Sequence, residues 1–208
     1  MEDQGVIAVV DDDAAVREAL QGLFRSVGLH CRGYSSVMEF LDSPDRPDRG
    51  CLVLDVRLPG VSGLDFQDRM AQFGVRLPVV LMTGHGDIPM SVRAMKAGAI
   101  DFLPKPFRDQ DMLDAVNQAL RASAAELDVE RQNDALRQRY ARLTSREKQV
   151  MALVTAGKMN KQVAGELQLS EITVKIHRGA AMRKMEARSL AALVRMASEL
   201  GQDLVPPA

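Results

Sequence analysis

Tryptophan is absent from this 208-residue sequence, aromatic residues make up only 4% of it, and there are two cysteines. Two thiols do not make a disulfide scaffold. Cys31 and Cys51 sit in strand-like segments without metal-ligand spacing, so buried reduced thiols are expected rather than a disulfide or a zinc site. No apolar run approaches the ~20 residues that cross a bilayer, and residues 1–5 lack a basic, apolar signal pattern. A cytoplasmic protein with no membrane partner is the expectation. The glycine-rich turn that a nucleotide-binding α/β domain places after its first strand is also missing, and an acidic turn stands there instead.

The sequence has no surplus of one charge overall, but its net charge of -1 conceals an asymmetry. Residues 1–120 carry 12 Lys and Arg against 18 Asp and Glu, and residues 143–208 carry 10 against 6. An acidic front and a basic back point to two domains, the second facing a polyanion.

The front alternates strand and helix. Residues 51–55, CLVLD, are too few for a helix and rich in Val and Leu, so they read as a buried strand ending in Asp55. Val6–Val10 is a second such strand, ending in Asp11, Asp12 and Asp13. Val16, Ala19, Leu20, Leu23, Phe24 and Val27 follow at helical spacing, with Asp13 placed to cap and Gly28 to stop the helix. Residues 30–34 form a short strand, Ser36 to Glu39 a capping box, residues 64–73 a helix, residues 78–83 a strand ending in Thr83, and residues 100–103 a fifth strand before Pro104-Lys105-Pro106. Asp87 is placed to cap the helix that ends at Gly98. Five strands alternating with helices predict an α/β fold with a doubly wound parallel sheet. Ligands of such sheets bind at the C-terminal strand ends, where Asp11, Asp12, Asp55, Thr83 and Lys105 all fall. Carboxylates gathered there repel one another and need a cation or protons to coexist, and a hard divalent ion such as Mg2+, which takes oxygen ligands, is the natural solution.

VVDDD, LDVRLPG, VVLMTG, KAGAIDF and LPKPF, in this order over residues 5–120, make the front resemble the receiver domain of two-component response regulators, with its CheY-like sheet. The resemblance implies that Asp55 accepts a phosphoryl group from a sensor histidine kinase. Asp11, Asp12, Asp55 and the carbonyl of Arg57 would hold Mg2+, while Lys105 and Thr83 would contact the phosphoryl oxygens. Phe102 would turn inward as the switch, and Arg57 and His85 would influence the phosphoryl lifetime. It also implies a cis Lys105-Pro106 bond and dimerisation through the fourth helix and fifth strand. An aspartyl phosphatase, by contrast, keeps a second Asp two residues after its nucleophile, where this sequence has Arg57.

No Gly or Pro interrupts residues 108–156. Leu113, Val116, Leu120 and Leu127 continue a heptad-like spacing, but Glu130 and Asp134 then occupy the seam, so a helical linker over residues 121–139 is favoured over a coiled coil. Beyond it the chain is all helix, with Thr144 to Glu147 a capping box, Asn160, Ser170 and Ser189 caps, and Gly157 a stop. A short helix, a tight turn and a longer basic helix form a helix-turn-helix.

LTSREKQV, AGKMNKQVAGEL, LSEITVKIHR and RKMEARSL make residues 140–208 resemble the DNA-binding domain of the NarL/FixJ (LuxR-type) family, and the whole chain its FixJ-like branch. Carried over, Thr173, Lys175, Ile176, His177 and Arg178 are the recognition-helix residues nearest promoter DNA, and Lys161 and Lys184 contact phosphates. Gly179 departs from the pattern, since some relatives place a basic base-reading side chain there. The expectation is a non-enzymatic transcription factor of three parts, residues 1–120, 121–139 and 140–208. Phosphorylated, it would form a homodimer and bind a promoter, with RNA polymerase as a further partner. The alternative is a phosphate sink or scaffold whose helix-turn-helix no longer binds DNA.

Overall fold

The computed structural model describes residues 5–84 and 88–201. The chain divides into two compact units, Met1–Leu127 and Asp128–Ala208.

The first unit holds the expected parallel sheet. Its strands are β1 (Val6–Val10), β2 (Cys31–Tyr34), β3 (Gly50–Asp55), β4 (Val79–Thr83) and β5 (Asp101–Pro104), in the order β2-β1-β3-β4-β5. Successive side chains on a strand face opposite sides, and both sides are covered here. Ala8, Val10, Leu52, Leu54, Val79 and Leu81 pack with Phe40 and Phe66 on one face. Ile7, Val9, Val53, Val80 and Met82 pack with Leu20, Phe24, Met112 and Val116 on the other. This is why β1, β3 and β4 read as continuous apolar runs rather than alternating ones. Register aligns Val10 with Leu54, Asp55 with Met82 and Thr83 with Pro104, so the polar residues that end each strand gather at one edge.

The helices of this unit are α1 (Ala14–Ser26), α2 (Val37–Asp42), α3 (Gly63–Gln67), α4 (Ile88–Lys96) and the long α5 (Asp109–Ala141), which continues into the second unit. Asp13 caps α1 by accepting from the Ala15 N–H at 2.8 Å. Ser36 caps α2, but Glu39 reaches back to the N–H of Ser35 instead of closing the box on Ser36. The helix expected over residues 64–73 is broken. α3 stops at Gln67 and a 3-10 turn covers Met70–Phe73, because Arg69 leaves helical geometry at φ −115° and ψ 1°. Asp65 and Asp68 on either side of this break are both held by Arg93 of α4, at 2.7 and 2.6 Å. The predicted cap at Asp87 lies outside the described residues. The turns 128–134 of α5 are exposed throughout, where the apolar seam of the sequence fails.

The second unit packs α6 (Ser145–Thr155), α7 (Asn160–Leu167), α8 (Glu171–Lys184) and α9 (Leu190–Leu200) around Val150, Met151, Val163, Val174, Ala181, Met185 and Leu193. Thr144 and Glu147 form the reciprocal capping box, at 3.3 and 2.7 Å, and Ser170 and Ser189 cap α8 and α9. Asn160 does not cap α7. Met159 takes that position, its N–H donating to Gln162 Oε1 at 2.8 Å, and Asn160 Oδ1 accepts from Arg178 instead.

Candidate functional site

The acidic edge of the sheet is built by three loops. Asp11, at the end of β1, is fully buried. One carboxylate oxygen accepts the N–H of Asp13 at 2.9 Å and the other accepts from Lys105 Nζ at 2.6 Å. Its carbonyl accepts from Arg17 of α1 at 2.7 Å. Asp11 is thus satisfied at every oxygen by the turn that follows it and by a residue 94 positions away.

Asp55 is not. It is only 6% exposed, and its Oδ1 lies 3.5 Å from Lys105 Nζ, at ion-pair distance, yet is buried without a hydrogen-bond partner among the described residues. Burial pushes its carboxyl above the usual carboxylate range. The neighbouring Asp11 charge adds to this, while Lys105 and the N–H of Arg57 pull the other way. Asp12 is exposed beside them, and ligand oxygens of Asp11, Asp12 and Asp55 lie within 4.8 Å of one another. Oxygen donors alone, crowded like charges and one orphaned buried oxygen fit a hard divalent cation.

Lys105 reaches both carboxylates from the loop after β5, where the Lys105-Pro106 bond is cis and the Lys105 N–H donates to the Thr83 carbonyl at 2.7 Å. Thr83 itself is fully buried, and Phe102 is half-buried against the core. Arg57 is exposed, and with Asp12, Leu58, Pro59 and Met90 it lines an open cleft beside the carboxylates. His85 lies outside the described residues.

One residue of this site left no mark in the sequence beyond being a glycine. A Cβ on Gly63 would stand 2.2 Å from the Asp55 carbonyl. The N–H of Gly63 donates to Val56 at 2.9 Å, so the loop after β3 is pressed onto the strand end that carries Asp55. Arg17 was unmarked as well, since its contact with Asp11 spans a helix start. Away from the site, Cys31 and Cys51 are free, and burial pushes both thiols up to about 12.

In the second unit Lys161 lies exposed on α7. On α8, Lys175 and Ile176 are exposed, while Thr173, His177 and Arg178 are half-buried. The Thr173 hydroxyl shares a 2.8 Å hydrogen bond with Ser170. Arg178 is turned toward Asn160 at 3.4 Å, and Lys184 toward Glu147 at 2.7 Å, a pair that ties α8 to α6. The seven residues singled out on the sequence therefore do not share one face. Burial alone would raise the Glu147 carboxyl, but hydrogen bonds from Lys184 and from the Thr144 N–H outweigh it and hold the carboxyl below its usual range. Among the described residues no helix is long and apolar enough to cross a membrane.

The chain matches the family model of the response regulator receiver domain over residues 7–117, and that of the bacterial regulatory proteins of the luxR family over residues 141–197. It is 52% identical over 198 residues to nodulation protein W of Bradyrhizobium diazoefficiens, covering 95% of this chain and 87% of that protein. It is 44% identical over 191 residues to the transcriptional regulatory protein FixJ of Azorhizobium caulinodans, covering 92% and 90%. Among solved structures it is similar to the response regulator StyR, with a TM-score of 0.81 at 47% identity over 93% of this chain and 98% of that one. Full-length FixJ from B. japonicum gives 0.57 at 40% identity, over 95% and 97%. With a receiver model over its parallel sheet, a luxR-family model over its helix-turn-helix and relatives similar along almost its whole length, the chain belongs to the FixJ-type response regulators and is a phosphorylation-dependent transcription regulator.

Proposed function

We propose that Asp55 is the phosphoryl acceptor and that Asp11, Asp12, Asp55 and the Arg57 carbonyl hold Mg2+. The observation that carries this reading is the buried Asp55 Oδ1, which has no hydrogen-bond partner among the described residues and sits among like charges. When bound, the cation keeps Asp55 ionised despite its burial and neutralises charge on the transferring oxygens. A carboxylate oxygen of Asp55 forms a P–O bond as the P–N bond of a phosphohistidine on a sensor kinase breaks, and the imidazole leaves with the bonding electrons. Lys105, 3.5 Å from Asp55, pairs with the phosphoryl oxygens. The Thr83 hydroxyl turns to donate to them, and Phe102 moves further into the core.

That rearrangement becomes dominant from a rare state when the phosphoryl group favours it by about 5.5 kcal/mol. It reaches α4, where Ile88, Val92 and Met95 line one exposed apolar stripe at helical spacing, a face suited to pairing with a second copy. The receiver spans residues 1–120, a helical linker 121–139 and the DNA-binding domain 140–208. The paired domains bind promoter DNA in the cytoplasm through the exposed side chains of Lys161, Lys175 and Ile176 with Thr173, His177 and Arg178 beside them, while Lys184 is held by Glu147, and the protein is a regulator rather than an enzyme.

Intact-mass measurement after incubation with acetyl phosphate tests this reading. Wild type should gain one phosphoryl group only with Mg2+ present, and Asp55→Ala should gain none. A gain that survives a chelator, or survives in Asp55→Ala, would sink it.

A further inference from the structure

Ile172, Ile176, Gly179 and Arg183 follow one another along α8 at spacings of four, three and four. At about 100° per residue, all four stay within roughly 40° of one line along the helix. That line runs opposite Val174 and Ala181, the residues α8 buries in the core, and opposite Met185, which follows its last turn. Ile172 and Ile176 are 72% and 63% exposed, so the line faces outward.

Arg183 is exposed too, and its side chain lies back along the line toward the start of the helix, the direction in which helical side chains lean. One guanidinium nitrogen stands 3.6 Å from where a Cβ of residue 179 would be. The missing side chain of Gly179 leaves that ground open. Three other basic residues of this unit are engaged, Arg178 with Asn160, Lys184 with Glu147 and Arg139 with Glu186, and Lys175 on α8 is, like Arg183, in no ion pair among the described residues. Among the described residues no ion pair engages Arg183. A rigid fork of five donors thus lies uncommitted on the outermost line of the longer helix of a helix-turn-helix.

We propose that Arg183, laid across Gly179, is a DNA-contacting residue of α8, and that Gly179 is a positioning residue that clears its path. The guanidinium takes a pair of acceptors on DNA, either O6 and N7 of one guanine or two oxygens of one phosphate. Arg183 in this role deepens the DNA-binding function proposed above and rests on it.

The test uses the full chain, phosphorylated with acetyl phosphate and Mg2+, and a duplex that the wild type recovers from a random-sequence pool. Arg183→Ala should bind this duplex about tenfold more weakly, with an unchanged unfolding transition. Gly179→Ala should bind as wild type does, because 3.6 Å is ordinary van der Waals contact. Gly179→Leu fills the guanidinium's place and should lose about as much as Arg183→Ala, and the double variant little more than either alone. Single 7-deazaguanine substitutions separate the two acceptors. A loss at one guanine that disappears in Arg183→Ala assigns the guanine. No such guanine, together with a log-log salt slope shallower by about 0.9, assigns the phosphate. Binding of Arg183→Ala within twofold of wild type would overturn the proposal and leave the DNA-binding function standing, and full affinity in Gly179→Leu would overturn the positioning role. Failure to recover any duplex would overturn both.

Discussion

The two units use buried charge in opposite ways. In the receiver, three carboxylates converge on one strand edge with Lys105 among them, and one buried carboxylate oxygen goes without a hydrogen-bond partner among the described residues. In the helix-turn-helix unit the buried Glu147 has its carboxylate taken by the Thr144 N–H at 2.7 Å and by Lys184 at 2.7 Å. A buried polar group without a partner costs free energy, and a satisfied one rigidifies the structure around it. The receiver edge therefore carries a cost that a bound cation would relieve. The core of the second unit is a settled platform that presents its chemistry on the outside.

The largest expected break in this contrast comes from Gly63→Ala. Its Cβ would stand 2.2 Å from the Asp55 carbonyl, and overpacking of this kind costs roughly 1–3 kcal/mol. Hydrogen exchange should show the receiver amides losing protection while those of α6 to α9 keep theirs, and acetyl-phosphate labelling should slow. Next in size is the response to Mg2+. At ten times its dissociation constant, the ion should stabilise the receiver by about 1.4 kcal/mol, an effect absent in Asp12→Asn and absent from the second unit. Urea unfolding with and without chelator measures it, and equal stabilisation of both units would erase the contrast.

The smallest effect is on acid sensitivity, and it has opposite signs in the two units. The Asp55 carboxyl is raised in the folded chain, so the metal-free receiver gains stability as pH falls from its raised value toward the ordinary 3.8. The Glu147 carboxyl is lowered, so its contribution is complete above the ordinary 4.5 and is lost as pH falls through the depressed value. Protection of α6 and α8 amides should therefore fall below about pH 4.5 in wild type and be flatter in Glu147→Gln.

Legibility followed the range of the interactions. Asp11, Asp12, Asp55, Thr83 and Lys105 could be placed at strand ends because an apolar run of four to six residues announces where a strand stops. Asp13, Thr144, Ser170 and Ser189 declared themselves as caps because a cap closes on a residue two or three positions away. Asn160 failed as a cap because its partner is Arg178, 18 residues on. The break after Gln67 was hidden for a similar reason, since Arg93 holds its flanking aspartates from another helix.

Patterning, caps and strand ends, all properties of neighbouring residues, by themselves determined a parallel α/β domain followed by a helix-turn-helix and the five polar residues at the sheet edge. Only the tertiary structure decided that Lys105 satisfies Asp11 and leaves Asp55 wanting, that Gly63 must be bare beneath the Asp55 carbonyl, and that Lys184 is committed to Glu147 while Arg183 lies open over Gly179. Each of these depends on how close two distant segments come, and ångström-scale proximity is set by packing rather than by local pattern.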